Sequence, residues 1–271
     1  MISVLSDMMS YTFIVRAMIV GGLVALCSAL LGVSLVLKRY SMIGDGLSHV
    51  AFAALTIAVA MNVAPLYIST PIVTVAAIIL LRLSENSKIK GDSAIALIST
   101  VSIAIGVVVT ALTKGMNTDV YSYMFGSILA MSESDVYMSI SLSVEVIILF
   151  VFFYNKIFAV TFDESFAKAT GTRADAYNMI IAVLTAITIV VGMRIMGTML
   201  ISSLIIFPAL ISMRNFKTFK SVIICSAIVS VVCFLLGIIL SYLYSIPTGA
   251  SIVLVNTVAL ILSYLIGELR H

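Results

Sequence analysis

An aspartate and a histidine stand four residues apart in the second apolar stretch of the chain, as Asp45 and His49 of the segment SMIGDGLSHVAFA. On a helix, this spacing places both side chains on one face, one turn apart. Ionisable groups inside an apolar stretch are costly and indicate function. A carboxylate and an imidazole are ligands that divalent transition metals accept, so the pair predicts half of a site for Mn, Fe or Zn.

Asp45 and His49 could also have roles that involve no metal. They could form an intramembrane hydrogen bond, or lie in the membrane interface because Lys38 and Arg39 are near. They could also handle protons, so the residues alone leave metal traffic, proton traffic and a structural role open. If a metal binds, two ligands do not saturate it, and a second copy of the chain could supply two more across a two-fold axis.

The composition is that of a protein embedded in a membrane. Of the 271 residues, 62% are hydrophobic and 10% are charged, whereas about a quarter of the residues in a soluble domain are charged. Repeated apolar stretches of about 18 residues or more predict an all-α polytopic membrane protein, folded as a single domain over residues 1–271. Nine spans and a short re-entrant segment at 120–131 are predicted. The spans are at residues 12–37, 42–61, 65–83, 93–113, 135–154, 176–193, 196–213, 219–244 and 250–267.

Basic residues between the spans set the expected orientation. With the N-terminus outside and the C-terminus in the cytoplasm, twelve basic residues fall inside and three outside, as the positive-inside rule requires. The inside residues are Lys38, Arg39, Arg82, Lys88, Lys90, Lys156, Lys168, Arg173, Arg214, Lys217, Lys220 and Arg270, and the outside residues are Arg16, Lys114 and Arg194. The net charge of +3 therefore indicates cytoplasmic loops rather than binding of nucleic acid.

Two spans contain residues that favour irregular or close-packed helices. Gly197 and Pro208 lie in the seventh span, where proline removes a backbone donor and predicts a kink or a break. Such a break could serve as a gate beside a water-filled path, or it could be a proline kink without a role. In the first span, Ser28 and Gly32 have the small-xxx-small spacing that permits close helix contact.

The longest inside segment, residues 156–175, predicts a short capped helix. Asp163 is a favourable N-cap and Gly171 a favourable C-terminal stop, enclosing a helix near residues 164–170. The segment is either a docking site for a soluble partner or a connector on the membrane surface.

Two aromatic residues bear on the choice between a docking site and a connector. Phe162 precedes the cap and Phe166 lies in the predicted helix, so both rings are available to the cytoplasm. Phe162 could instead staple onto Ala167 within the same short helix. With both rings exposed, the capped helix could dock a soluble partner.

Several motifs of enzymes are missing from the sequence. It contains no GxxxxGK[ST], no HExxH and no GxSxG, so the chain is not expected to be an enzyme and any ATP must bind to a partner. An alternative is a self-sufficient secondary transporter or channel in which Asp45 and Glu145 relay protons.

Five blocks of sequence resemble the permease subunits of ATP-binding-cassette importers for zinc, manganese and iron(II). They are SMIGDGLSHVAFA (41–53), YMFGSILAM (123–131), FDESFAKATG (162–171), MRIMGTMLISSLIIFPALISMR (193–214) and PTGASIVL (247–254). They follow one another in the familiar order across nearly the whole chain, and the first and fourth are the most distinctive.

The resemblance implies a permease of the cell membrane that pairs with a second copy of itself and works by alternating access. It implies two cytoplasmic ATPase subunits and an extracytoplasmic metal-binding protein as partners, with no permanently bound cofactor. Asp45 and His49 match the family's motif residues in the metal path. The segment 162–171 matches the region that couples to the ATPase, which implies this role for Phe162, Asp163, Glu164, Phe166 and Gly171.

Overall fold

The computed structural model describes residues 9–86, 91–113 and 133–268, and all the regular secondary structure in these ranges is helical. Apolar stretches become helices in a membrane because a helix satisfies its own backbone hydrogen bonds. The helices of this part of the chain are α1 (Thr12–Leu37), α2 (Ile43–Ala60), α3 (Pro65–Asn86), α4 (Gly91–Leu112), α5 (Glu133–Phe152), α6 (Tyr154–Phe162), α7 (Glu164–Ala169), α8 (Ala174–Met196), α9 (Thr198–Asn215), α10 (Phe219–Tyr244) and α11 (Thr248–Glu268).

The predicted polytopic all-α fold is confirmed. Among the described residues, eight helices are long and apolar enough to cross a membrane, namely α1 to α5, α8, α10 and α11. The remaining predicted span, the seventh at 196–213, corresponds to α9, whose apolar part is shorter. The re-entrant segment predicted at 120–131 lies outside the described residues.

The end of the fifth span differs from the prediction. The fifth span ends at Phe152, and a separate helix, α6, occupies residues that were predicted partly as span and partly as the loop 156–175. The buried residues of α6 are Ile157, Val160 and Thr161, which have helical spacing. Their packing extends the helical structure to Phe162, so the loop is mostly helix.

Helix α1 lies at the centre of the bundle, packed against α5, α8, α9 and α10. Gly32 abuts α9 so closely that an added Cβ would lie 2.2 Å from the carbonyl oxygen of Ile205. On another side, Ser230 Oγ of α10 donates a hydrogen bond of 2.8 Å to the Ala25 carbonyl. The close contact predicted from the spacing of Ser28 and Gly32 is therefore present, and it joins α1 to α9.

Polar contacts join helix ends that must lie on the same side of the membrane. Arg16 Nη2 forms an ion pair of 2.6 Å with Glu133 Oε1, which connects the start of α1 to the start of α5. Asn215 Nδ2 donates 2.9 Å to Ser263 Oγ, which connects the end of α9 to the end of α11. Both contacts agree with the alternation of nine spans.

The positions of neighbouring helices require α9 to cross as well. Helix α8 begins beside the end of α1, where Lys38 Nζ lies 2.7 Å from Asn178 Oδ1. Helix α10 begins on that same side, since the rings of Phe219 and Phe162 are 5.7 Å apart. The chain that left along α8 must therefore return along α9, whose 18 residues extend about 27 Å.

Candidate functional site

Asp45 and His49 lie on one face at the start of α2, as their spacing predicts. Asp45 Oδ2 and His49 Nε2 are 3.7 Å apart, and the side chains are 43% and 20% exposed, respectively. This distance is too long for a hydrogen bond. The two side chains are thus close neighbours without a mutual hydrogen bond. A cation between them could bind both.

Two glycines let this end of α2 pack closely against other helices. An added Cβ on Gly44 would lie 3.1 Å from Ile205 Cδ1 of α9, and one on Gly46 would lie 2.7 Å from Ile95 Cγ2 of α4. The absence of side chains at both positions lets α2 pack closely on either side of Asp45. Asp45 itself therefore remains accessible while the backbone that carries it is held in place.

The described residues of one copy place no further metal-binding side chains around Asp45 and His49. In the part of the chain that the structure describes, no group of three or more His, Cys, Asp or Glu side chains is placed to hold a metal ion. Because transition metals take four or more ligands, a metal bound to Asp45 and His49 would need additional ligands from elsewhere.

Gly197 and Pro208 have different structural consequences. Gly197 separates α8 from α9 with φ 82° and ψ 169°, a conformation that glycine adopts readily. Pro208 is buried inside α9, which continues to Asn215. The helical chain is therefore interrupted at the glycine and not at the proline.

The capped helix predicted in the segment 156–175 is present as α7. Asp163 accepts a hydrogen bond of 2.8 Å from the Phe166 backbone N–H, as an N-cap does. The chain leaves the helix through Gly171, whose φ is +81°. The helix ends at Ala169, one residue before the predicted end.

The two phenylalanines of this segment are both exposed but have different contacts. Phe166 is 65% exposed, and Phe162 is 58% exposed. The Phe162 ring is 4.9 Å from that of Phe158 and 5.7 Å from that of Phe219, measured between centroids. Ala167 is buried with Val160 instead, so the aromatic contacts of Phe162 are with α6 and α10.

Glu145 lies on the exposed side of α5. Helix α5 packs mainly on α1 and α8, whereas α2, which carries Asp45, packs mainly on α3 and α4, with smaller contacts to α9 and α8. The two carboxylates thus belong to helices with different principal neighbours. A proton relay between Asp45 and Glu145 gains no support from this placement.

Residues 10–267, nearly the whole chain, match the ABC 3 transport family. The chain belongs to the ABC 3 transport family. The resemblance that the five sequence blocks indicate is confirmed, and the protein is a multi-pass membrane protein of a transporter family.

Individual relatives of this ABC 3 transport protein match it along almost their whole length. It is 26% identical over 259 residues to the manganese transport system membrane protein MntC of Halalkalibacterium halodurans, covering 95% of this chain and 88% of the relative. It is 29% identical over 249 residues to the high-affinity zinc uptake system membrane protein ZnuB of Haemophilus influenzae, covering 91% and 95%. The solved structure of PsaBC from Streptococcus pneumoniae in complex with Fab matches with a TM-score of 0.87 and 26% identity, covering 97% and 95%.

A polar cluster beneath α7 in this ABC 3 transport protein was not predicted from the sequence. Lys38 Nζ, at the end of α1, donates 2.7 Å to Asn178 Oδ1 of α8 and 3.2 Å to Glu164 Oε2 of α7. Asn178 Nδ2 donates 3.0 Å to the same Glu164 oxygen. The one signal in the sequence was an asparagine near the start of an apolar span, a position where an interhelical hydrogen bond is common.

Glu164 also has contacts on its exposed side. Lys168 Nζ lies 3.0 Å from Glu164 Oε1 and 2.9 Å from Asp175 Oδ1. Burial of Glu164 raises its pKa, but hydrogen bonds from Asn178, Lys168 and Lys38 outweigh this effect and hold the pKa at about 2. Glu164 is therefore ionised throughout the physiological range.

Proposed function

We propose that this chain is the permease subunit of an ATP-driven importer of divalent transition-metal ions, with zinc, manganese or iron(II) as cargo. The observation that carries the proposal is the pair Asp45–His49, 3.7 Å apart at the start of a largely buried spanning helix in a chain of this family. Such a pair binds a divalent transition-metal ion through oxygen and nitrogen.

Asp45 and His49 act as transient ligands in the path. With two protein ligands from one copy, binding is weak enough for the ion to leave, which conduction through any permeation site requires. The relatives named for manganese and for zinc are about equally similar to this chain. The ligand pair suits either metal, so the delivering partner contributes to the selection.

A homodimer completes the path. Because one copy holds no larger ligand cluster in its described residues, a second copy related by a two-fold axis supplies a second Asp45 and a second His49. Alternating access then opens this shared path to each side in turn, and the interruption at Gly197 is the proposed hinge or gate.

The orientation places the N-terminus outside and the C-terminus in the cytoplasm of the cell membrane. The distribution of basic residues supports this, with twelve on the proposed inside and three outside. Lys38, Lys168 and Arg214 then fall on the side of the membrane that also bears α7.

The energy comes from ATP bound to cytoplasmic ATPase subunits that dock on α7. Phe162 and Phe166 provide an exposed aromatic surface, and Asp163 and Gly171 fix the ends of the helix that presents it. Exposed aromatic anchors of this kind dominate the energetics of protein interfaces. An extracytoplasmic metal-binding protein delivers the ion from the opposite side.

Reconstituted vesicles containing the permease and its ATPase test the proposal. We expect ATP-dependent uptake of Mn²⁺ or Zn²⁺, which Asp45→Ala or His49→Ala abolishes while the complex still assembles. Ser48→Ala is the matched control, because Ser48 lies between the two ligands and its hydroxyl donates 2.7 Å to the Asp45 backbone carbonyl.

Two outcomes would contradict the proposal. Normal uptake by both alanine variants would reject the ligand assignment. Metal flux through the permease alone, without ATPase or ATP, would favour a secondary transporter or channel.

A further inference from the structure

Lys38, Glu164 and Asn178 form a cluster that joins three helical segments whose residues are far apart in sequence. Each of the three side chains contacts the other two, at 2.7, 3.0 and 3.2 Å. We call these residues the 38–164–178 cluster. It connects the end of α1 and the start of α8 to α7, which is the helix that faces the proposed ATPase.

The cluster is a firm connection because the charge of Lys38 is shielded from water. The Lys38 side chain is 10% exposed, and its ammonium group contacts both a carboxylate and an amide oxygen. Hydrogen bonds to charged groups are about twice as strong as neutral ones, and a shielded charge that loses its partner is costly. Movement of Glu164 is therefore expected to carry Lys38 with it.

A short and well-bonded stretch of chain leads from Lys38 to the ligand pair. Arg39 adopts φ 61°, the Tyr40 N–H donates 2.8 Å to the Leu35 carbonyl, and the Ile43 N–H donates 3.0 Å to the Tyr40 carbonyl. Helix α2 begins at Ile43, and Asp45 is its third residue. A displacement of Lys38 thus reaches Asp45 through backbone that has little freedom to absorb it.

From these contacts we infer that the 38–164–178 cluster transmits the motion of α7 to the start of α2 and so repositions Asp45 during transport. The inference rests on the proposed function, because it names the route by which ATP hydrolysis on the partner acts on the metal path. Lys38, Glu164 and Asn178 are positioning residues in this scheme, since none of them is proposed to touch the ion.

The test measures metal ions imported per ATP hydrolysed by the permease–ATPase complex in vesicles, with Mn²⁺ as the probe. Lys38→Met should leave assembly and ATP hydrolysis in place but reduce the ions imported per ATP about ten-fold, a typical size for coupling between two sites. Lys38→Arg, which keeps the charge and the donors, should recover most of the ratio.

Lys168→Met is a matched control. It makes the same chemical change next to the same carboxylate, but Lys168 lies on the exposed side and links Glu164 to Asp175 rather than to α1. We expect this variant to keep the ratio of the unmodified complex. The double variant Lys38→Met/Asn178→Leu should be no worse than Lys38→Met, because both changes remove the same connection.

Equal ratios in Lys38→Met and the unmodified complex would overturn the inference, as would an equal loss in Lys168→Met. If Lys38→Met does not assemble, Asn178→Leu carries the same expectation, since it nearly keeps the size of the side chain and removes the hydrogen bonds to both Lys38 and Glu164. An unmodified complex that hydrolyses ATP without importing metal would instead reject the proposed function.

Discussion

The start of α2 and the underside of α7 use the same kinds of polar group in opposite ways. At the start of α2, Asp45 and His49 are 3.7 Å apart and do not hydrogen-bond each other. Beneath α7, Glu164 accepts hydrogen bonds from Lys38, Asn178 and Lys168. Low-dielectric surroundings make an unsatisfied group expensive and a satisfied one rigid.

The difference matches the two tasks proposed for these regions. A group that must bind and release an ion works best when no internal partner competes with the ion. A group that must transmit a motion works best when it is fully bonded to what it moves. The unsatisfied pair Asp45–His49 is thus consistent with the proposed ligand site, and the fully bonded Glu164 with the proposed mechanical connection.

Replacing Phe166 should distinguish the two regions most strongly, because it should affect ATPase binding and leave metal binding unchanged. We expect Phe166→Asp to prevent binding of the ATPase, because an anchor ring that is 65% exposed is replaced by a charge. Metal binding at the Asp45–His49 pair should persist, since α7 does not contribute ligands. Copurification with the ATPase and Mn²⁺ binding to the isolated permease measure the two effects.

The substitution Phe162→Asp provides the comparison for Phe166→Asp. The Phe162 ring packs on Phe158 and Phe219, so this variant should lose ATPase binding and also some thermal stability of the permease. An intact permease–ATPase complex in both variants would show that the ATPase docks elsewhere.

Thermal stability should distinguish a ligand from a connector. Glu164→Leu leaves Lys38 with its charge shielded and one partner fewer, which should cost on the order of 1–3 kcal/mol and lower Tm by several degrees. Asp45→Leu removes a carboxylate that no internal hydrogen bond from His49 stabilises, so Tm should stay the same or rise. Unfolding of both purified variants in detergent provides the comparison, and a larger loss for Asp45→Leu would contradict the interpretation of the pair as a ligand site.

The features that sequence reasoning located depend on short-range rules. The spacing of Asp45 and His49, the N-cap Asp163 and the stop at Gly171 each involve residues within four positions of one another or a single backbone conformation. Hydropathy alone located the spans because the membrane imposes one requirement on every crossing segment.

The features that it missed depend on long-range packing. Lys38 meets Glu164 across 126 positions and Asn178 across 140, and no local pattern encodes those pairings. The helix α6 did have a local signal, in the spacing of Ile157, Val160 and Thr161, which the prediction of a loop over residues 156–175 overlooked. At Pro208, the helix continues despite the local tendency of proline to break it.

The smallest expected effect is the pH dependence of stability that Glu164 confers. Its pKa is lowered from 4.5 to about 2 in the folded protein, so the charged carboxylate stabilises the fold fully above pH 4.5. That contribution should disappear as the pH falls from 4.5 to about 2, because the carboxyl group is then protonated in both the folded and the unfolded chain.

Glu164→Gln lacks the titration, so the Tm difference between the two proteins should be constant above pH 4.5 and shrink toward pH 2. Solvent screening keeps the effect modest, since the Glu164 side chain is 36% exposed. Thermal unfolding of both proteins across this pH range cancels the carboxylates that they share, and a Tm difference independent of pH would mean that Lys38 and Asn178 bind Glu164 without favouring its charge.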